Sequence, residues 1–398
     1  MSVTVRSIGT AVPNTVLHQS EVKSVFSAQP GLSRLGTRII GAAFDASAIT
    51  TRHTVIDELS FTNPTEDPVF YDAANGLILQ PPTGVRNDAY AKHSPELFLG
   101  AARRALEGAD GIDASDVTHV ITASCTGFFA PGPDYVLVRE LGLSPSTQRY
   151  HLGFMGCYAA FPALRAAATF CIADPDAVVL VVCVELCSLH LRSSNDPDTI
   201  VASSVFADGA AAAVVTARPA PAGSTVLDLD AFETVVVPDG EADMAWTIGD
   251  HGFEMVLSSY VPQIIEHNIE QALAPLLARS PGLADAPYRA IERWAIHPGG
   301  RSILDKVQHT LDLDDAQLEP SRAVLAEYGN MSSATVLFVL ERILKGPAPE
   351  LPERVCSMAF GPGLTVETAL LTARTVAVDG ASRSTARPTM SVPAGASA

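Results

Sequence analysis

Three runs in this chain are apolar without alternation: 118–124 (Thr-His-Val-Ile-Thr-Ala-Ser), 177–185 (Ala-Val-Val-Leu-Val-Val-Cys-Val-Glu) and 210–216 (Ala-Ala-Ala-Ala-Val-Val-Thr). A strand with water on one face alternates polar and apolar residues, because successive side chains point to opposite faces. Continuous runs therefore predict parallel strands in a sheet covered on both sides. Helical patterns occupy 95–108, 134–142, 158–173, 256–279 and 331–345. Strand and helix alternating over the whole length predict a layered α/β fold. The opening Met1-Ser-Val-Thr-Val-Arg alternates as a strand does and lacks the charged start and apolar centre of a signal peptide.

The pattern repeats weakly. Ser124-Cys125-Thr126-Gly127 closes one strand ahead of a helix, and Trp294-Ala-Ile-His297-Pro-Gly-Gly300 leads into a helix at Ser302–Leu311. Gly156-Cys157 opens one helix and Gly329-Asn330 another. Ser203-Ser-Val-Phe206-Ala-Asp-Gly209 before an apolar run is echoed by Ser357-Met-Ala-Phe360-Gly361-Pro-Gly363 before its own. Two similar halves, 1–225 and 226–374, are expected, with chance likeness among α/β units as the alternative. From about residue 375 the chain turns to Ser, Ala, Thr, Arg and Pro without an apolar period, so 375–398 is expected not to fold.

Composition narrows the partners. Lys+Arg 26 against Asp+Glu 44 gives a net charge of −18, which repels nucleic acid, anionic lipid and acidic carrier proteins. Hydrophobic residues at 47% supply a large core, and no run of about 20 apolar residues predicts a membrane span. Six cysteines without a CxxC pair predict neither a metal site nor a disulfide framework, but a reduced, cytoplasmic protein.

Three residues sit where chemistry is placed in such folds. Cys157 lies between a strand at 148–154 and a helix, where unpaired N–H groups and the dipole favour thiolate. A thiolate can hold an acyl group as a thioester. His297 follows an apolar strand on a loop, where a neutral imidazole can donate to an oxyanion or polarise a thiol. Asn330, in Tyr-Gly-Asn-Met-Ser-Ser-Ala, can aim an amide N–H at a carboxylate or enolate oxygen. Taken singly, each has an ordinary alternative: a buried cysteine, a satisfied loop histidine, a helix N-cap.

Together, in this order, they resemble the type III polyketide synthases (chalcone-synthase-like) among the thiolase-fold condensing enzymes. The resemblance also rests on Glu185-Leu186, Phe206-Ala-Asp-Gly-Ala-Ala-Ala212, Gly252-Phe253 and Val261-Pro262. It extends to Ile296-His-Pro-Gly-Gly300 with Ile303-Leu-Asp305, Tyr328-Gly-Asn-Met-Ser-Ser-Ala334 and Phe360-Gly-Pro-Gly-Leu-Thr-Val-Glu367. It spans about residues 1–374, and the Trp246…Gly249-Asp-His-Gly-Phe253 stretch is more similar to bacterial members than to plant ones.

The resemblance implies a duplicated αβαβα thiolase-like fold and iterative decarboxylative condensation of malonyl-CoA onto an acyl-CoA starter. It implies a homodimer, no carrier protein and no cofactor beyond the coenzyme A thioesters that are its substrates. Cys157 would take the acyl group, and His297 and Asn330 would stabilise the malonyl-derived enolate. Phe206 and Met255 would stand at the gate, the methionine replacing a second phenylalanine. Trp246 and His190 would line the pocket, and Ala130 would lie where a neighbouring subunit reaches in. Gly299, Ser332, Phe360 and Gly361 would complete the substrate site, with Arg52 and Arg301 anchoring coenzyme A. Met255 and the many small apolar residues suggest a medium or long acyl starter. A ketoacyl synthase III-like enzyme making one condensation, and a non-catalytic subunit of the same fold, remain the alternatives.

Overall fold

Nine strands form one sheet in two halves. From the edge inward, the first half runs β7 (Gln148–Gly153), β6 (His119–Ser124), β8 (Val178–Leu186), β9 (Asp208–Thr216) and β1 (Thr4–Ala11). The second continues through β10 (Thr225–Val236), β15 (Thr365–Thr375) and β14 (Glu353–Gly361) to β13 (Arg293–Ile296). The computed structural model describes residues 2–60, 65–238, 240–280 and 282–377.

One pairing sequence occurs in both halves. β6 is parallel to β8, β8 antiparallel to β9 and β9 antiparallel to β1. Likewise β13 is parallel to β14, β14 antiparallel to β15 and β15 antiparallel to β10. β7 is an addition, parallel to β6 at the sheet edge. Within the sheet the halves join through two rungs between β1 and β10, Thr4↔Asp228 and Val5↔Leu227. The run at 210–216 is thus a buried strand, as its pattern predicts, but antiparallel to both neighbours. Burial on two faces dictates a continuous apolar run whichever way the strand points.

The continuous runs divide their side chains between two cores. Val179 and Val181 of β8 and Ala211 and Ala213 of β9 face a central layer, as do Val355, Ala369 and Leu371 from the second half. That layer is α5 (Ala160–Ala173) beside α10 (Thr335–Leu344). The alternate residues Val178, Leu180, Val182 and Val214 face outward onto α3 (Thr83–Glu107). On the second half Trp294, Cys356 and Met358 face α7 (Val261–Leu277), α8 (Arg301–Thr310) and α9 (Asp315–Tyr328). Helix, sheet, helix pair, sheet, helix is the αβαβα arrangement of the thiolase fold. Each fully buried valine or leucine in these layers contributes about 1.5–3 kcal/mol by leaving water.

α4 (Pro133–Glu140) flanks β6 and β7, while α1 (Gln19–Ser27), α2 (Arg34–Ala46) and α6 (Pro197–Val205) pack near the site. Smaller pairs join β2 (Thr15–His18) to β3 (Thr51–Thr54) and β4 (Tyr71–Asp72) to β5 (Leu77–Ile78). A separate hairpin pairs β11 (Met244–Gly249) with β12 (Gly252–Leu257).

Several boundaries differ from the sequence pattern. The helix expected from residue 95 begins at Thr83 and carries Pro95 inside it. The helix expected over 256–279 begins at Val261, because Pro262 sits in its first turn and Phe253, Met255 and Leu257 alternate along β12. The opening strand lies at the sheet centre and is buried nearly throughout rather than alternating. The stretch Gly156–Ala173 is long and apolar enough to cross a membrane by composition alone. Its residues Phe161, Leu164 and Ala167 belong to the central core, which accounts for that composition. β15 runs to Thr375 and Val376 still donates to Ser224 O, while 378–398, the rest of the expected tail, lies outside the described residues.

Candidate active site

The chain leaves β7 through two left-handed residues, Phe154 at φ 58° and Gly156 at φ 78°. Position 156 needs glycine, since a Cβ there would lie 2.6 Å from Pro362 Cδ. Phe154 is held in its unfavourable conformation by stacking on Phe128 at 5.5 Å and by the edge of Phe253 at 5.5 Å. Cys157 then stands on a single 3₁₀ turn, Gly156–Tyr158, and α5 begins only at Ala160. Burial pushes the Cys157 thiol up to about 11. A hydrogen bond from Ser332 and one from Asn330 pull the other way, against the nearby Glu185. The expected stabilisation of thiolate is therefore outweighed, and the resting residue is a neutral thiol.

His297 directly follows β13, its N–H donating to Met358 O at 2.8 Å. The side chain is 1% exposed, yet neither ring nitrogen has a hydrogen-bond partner among the described residues. Burial lowers its pKa to about 3, so the ring is neutral, with one N–H and one lone pair. Leaving a buried polar group unpaired costs about 1–3 kcal/mol. Such a cost persists where the group is reserved for something that enters.

Asn330 is pinned on every side. Its N–H donates to Val205 O at 2.8 Å and its carbonyl accepts from Ala207 N–H at 2.9 Å, a bridge that ties the two halves together beside Phe206. Its side-chain Oδ1 accepts from Ser332 N–H at 2.8 Å, and Nδ2 donates to Gly299 O at 3.2 Å. The remaining amide hydrogen is left for Cys157 and whatever binds there.

These three residues line one cavity of about 40 Å³. A water needs about 10–15 Å³ of such space, so the chamber holds a few waters' worth and a long acyl group requires a wall to move. Through Leu257, Gly299 and Ile303 the cavity borders a larger one of about 350 Å³, and across Phe206, Trp246 and Met255 a third of about 30 Å³. The inward side of β12 follows all three in a row, with Phe253 and Met255 on the third, Met255 and Leu257 on the first, and Leu257 on the largest. Cys157 sits in the middle of this path.

The far wall is fixed. Trp246 Nε1 donates to Cys125 O at 2.8 Å, and its ring meets His190 and Phe253 edge-on at 5.8 and 6.0 Å. His190 Nε2 donates to Thr126 O at 2.8 Å while Nδ1 accepts from Phe253 N–H at 3.0 Å. The imidazole also stacks on Phe253 at 4.2 Å, and burial holds it neutral with a pKa of about 3. Behind Cys125, the buried Glu185 accepts from Cys125 N–H at 3.0 Å, Thr126 Oγ1 at 3.0 Å and Ser333 Oγ at 2.5 Å. Burial raises its pKa despite these bonds.

The central cavity thus gathers Cys157, His297 and Asn330 with Phe206, Met255, Trp246, Gly299, Ser332 and Phe360. His190 lines the third cavity and Arg301 the largest one. Gly361 does not line the cavity but makes room for Tyr158, whose ring a Cβ would approach to 2.4 Å. Ala130 is exposed, before a cis bond to Pro131, and lines none of the three.

Arg52 is the clear correction. It is 0% exposed, donates to Ser203 O at 2.9 Å and Phe206 O at 2.7 Å, and lies over the Phe44 ring. It cannot meet a coenzyme phosphate, and instead holds the turn that presents Phe206. Sequence reasoning passed over Cys125, Met244, Leu257 and Ile303 as cavity residues. The internal repeat carried a signal for Cys125, which stands just past β6 as His297 stands just past β13. Among the described residues no cluster of His, Cys, Asp and Glu could hold a metal ion.

Residues 2–219 match the model of the N-terminal domain of chalcone and stilbene synthases, and residues 228–375 that of the C-terminal domain. Probable polyketide synthase 1 of Dictyostelium discoideum is 33% identical over 364 residues, 91% of this chain, which spans only 11% of that relative's length. Among solved structures, the C-terminal type III polyketide synthase domain of Steely1, a type I/III hybrid from Dictyostelium, is similar at a TM-score of 0.83 and 30% identity, over 94% of this chain and 100% of that one. The 1,3,6,8-tetrahydroxynaphthalene synthase of Streptomyces coelicolor A3(2), a bacterial type III polyketide synthase, gives 0.81 and 27%, with the same coverage. With both domain models matched along nearly its whole described length, the chain belongs to the chalcone and stilbene synthase family of type III polyketide synthases.

Proposed function

We propose that the protein is an acyltransferase that extends an acyl-CoA starter with malonyl-CoA by iterative decarboxylative condensation on Cys157, giving a pyrone, resorcinol or related polyketide. The observation that carries this reading is His297: a buried, neutral imidazole with both nitrogens unpaired, on the same small cavity as a thiol and a fixed amide. In the first step the Cys157 sulfur attacks the starter's thioester carbonyl. The free ring nitrogen of His297 takes the thiol proton and returns it to the departing coenzyme A sulfur. Because burial disfavours imidazolium, proton transfer accompanies attack instead of preceding it as a standing ion pair. In the second, the N–H of His297 and the spare N–H of Asn330 donate to the malonyl thioester oxygen as carbon dioxide leaves. A neutral donor holds the enolate without surrendering its proton, and in a dry site each such donor is worth 10²–10³ in rate. The enolate carbon then attacks the Cys157 thioester carbonyl and the sulfur leaves as thiolate. That thiolate attacks the lengthened coenzyme A thioester for the next round, expelling coenzyme A thiolate that takes its proton from water.

The row of cavities supports a medium or long acyl starter. The thioester arm enters by the 350 Å³ cavity, and the acyl tail continues past Met255 into the third. Trp246 and His190 are tied in place, whereas a thioether has several low-energy rotamers, so Met255 is the wall that yields. The edge strand β7 and the 40%-exposed Tyr150 and Phe128 near it support a homodimer across that edge, with Ala130 beside it. Six free cysteines and the acidic surface support a cytoplasmic location. The test is intact-protein mass spectrometry after exposure to a panel of acyl-CoA starters. Wild type gains the acyl mass and Cys157→Ala does not; an adduct that survives on the variant moves the nucleophile to another thiol, Cys125 first.

A further inference from the structure

We propose that the third cavity ends in a carboxylate subsite at Arg192, so that the preferred starter is a coenzyme A thioester with a second, free carboxylate at the far end of its acyl chain. This rests on the activity proposed above and names the chemistry of the tail. The cavity shares the wall of Phe206, Trp246 and Met255 with the Cys157 chamber. Beyond that wall it is lined by Arg192, His190, Thr199 and Ser203, with no carboxylate among its lining residues. A chain that passes Met255 therefore leaves an apolar surface and meets a cation. The space, about 30 Å³, is that of two or three waters, which suits a small planar group.

Arg192 has donors to spare. Among the described residues its side chain makes no hydrogen bond, and its one ion pair is a loose contact of 3.5 Å with Glu254, itself 53% exposed. Such a pair holds weakly in water. A guanidinium offers a planar fork of N–H groups that matches both oxygens of a carboxylate. The neighbours cannot take that part. Both nitrogens of His190 are occupied, and the Thr199 hydroxyl donates to Asp196 at 2.8 Å.

A second cation stands behind the first. Arg86 of α3 is 0% exposed, and its Nε donates to Pro81 O at 2.9 Å. Its Nη1 donates to Leu189 O and, at 3.4 Å, to Leu191 O, the residues on either side of His190. Its Nη2 has no partner among the described residues. Burial, and then the charge of Arg192, lower its pKa to about 10, so it remains a cation at neutral pH. Two positive charges thus converge on the turn at 189–192 of a chain whose net charge is −18, with one exposed acid between them and water. A buried charge is costly until an opposite one compensates it. A carboxylate on Arg192 supplies that opposite charge for both arginines.

The test pairs starters of equal length. Succinyl-, adipyl-, suberyl- and sebacyl-CoA end in a carboxylate, and butanoyl-, hexanoyl-, octanoyl- and decanoyl-CoA end in a methyl group. With malonyl-CoA as extender, the wild-type ratio of kcat/KM, carboxyl over methyl, rises to about tenfold or more at the length that reaches Arg192. In Arg192→Met, which keeps bulk and loses charge, that ratio returns to about one, and the loss lies in KM. Arg192→Lys retains most of the preference, and Lys345→Met, the same charge change outside the cavity, leaves it alone. The subsite is overturned if wild type favours the methyl-ended starter at every length, if Arg192→Met keeps the preference, or if Lys345→Met moves it equally. Calorimetry on Cys157→Ala, which cannot be acylated, separates the subsite from the activity. Suberyl-CoA bound more tightly than octanoyl-CoA through Arg192, by a protein that condenses nothing, would overturn the activity and leave the subsite standing.

Discussion

Two buried histidines, His190 and His297, mark two regions of the same chamber. Both rings are neutral because burial lowers their pKa to about 3, and both stand just after strands of the sheet. They differ in what surrounds the nitrogens. At His190 one nitrogen donates to Thr126 O, the other accepts from Phe253 N–H, and the ring is stacked. At His297 both nitrogens are idle. The same residue type at the same depth is a brace in one region and an instrument in the other. The satisfied ring maintains a wall, and the unsatisfied one has the hydrogen-bonding capacity that the proposed reaction needs.

That contrast can be broken most sharply at His297. His297→Ala should slow malonyl-CoA decarboxylation by about 10²–10³ while leaving the melting temperature unchanged or higher, since no protein hydrogen bond is lost. Near-normal release of carbon dioxide would place the oxyanion elsewhere. The next effect is on the thiol beside it. With a Cys157 pKa near 11, alkylation by iodoacetamide in the free protein should rise about tenfold per pH unit from 7 to 9, following the thiolate fraction. A rate already level at pH 7 would mean an ion pair with His297 in the resting protein.

At His190 the expected loss is of stability. His190→Ala strands Thr126 O and Phe253 N–H and opens a hole in the aromatic wall, at about 2–4 kcal/mol in a denaturant titration. Decarboxylation should stay within about tenfold; a variant that folds as firmly as wild type but cannot decarboxylate would erase the distinction. The smallest effect belongs to Trp246→Phe, which removes one hydrogen bond to Cys125 O, about 0.5–1.5 kcal/mol, and lets the wall shift. The preferred starter length should then change by a few-fold, with Cys157 still acylated. An unchanged product distribution across the starter panel would show that the indole is packing alone.

The residues proposed to react were legible because the backbone needs of their turns are written in the chain. Gly156 ahead of Cys157, Pro298-Gly299-Gly300 after His297 and Gly329 before Asn330 are local signals. The direction of 210–216 was not legible, since burial on both faces imposes the same apolar run on parallel and antiparallel strands. Arg52 misled for a related reason. The groups that hold it are backbone carbonyls of residues 203 and 206, about 150 positions away, and no side-chain pattern announces a carbonyl. The stretch 256–260 read as helix because Val256, Leu257, Tyr260 and Val261 fall at helical spacing, and only the pairing of Val256 and Leu257 with β11 assigns the first two of them to a strand.

The two-rung junction at Thr4 and Val5 has a consequence for synthesis. β1 leaves the ribosome well before its partners β9 and β10, and the sheet contacts that join the halves involve Leu227 and Asp228. At about 5–20 residues per second, the opening strand waits roughly 10 to 40 s for them. During that interval an apolar segment has no sheet to enter. The first half can assemble β6, β7 and β8 as they emerge, but the gap beside β9 stays open until the earliest part of the chain returns to fill it. Capture by a chaperone, or by another nascent chain, therefore has its best opportunity at β1, well before Cys157 has a pocket to stand in.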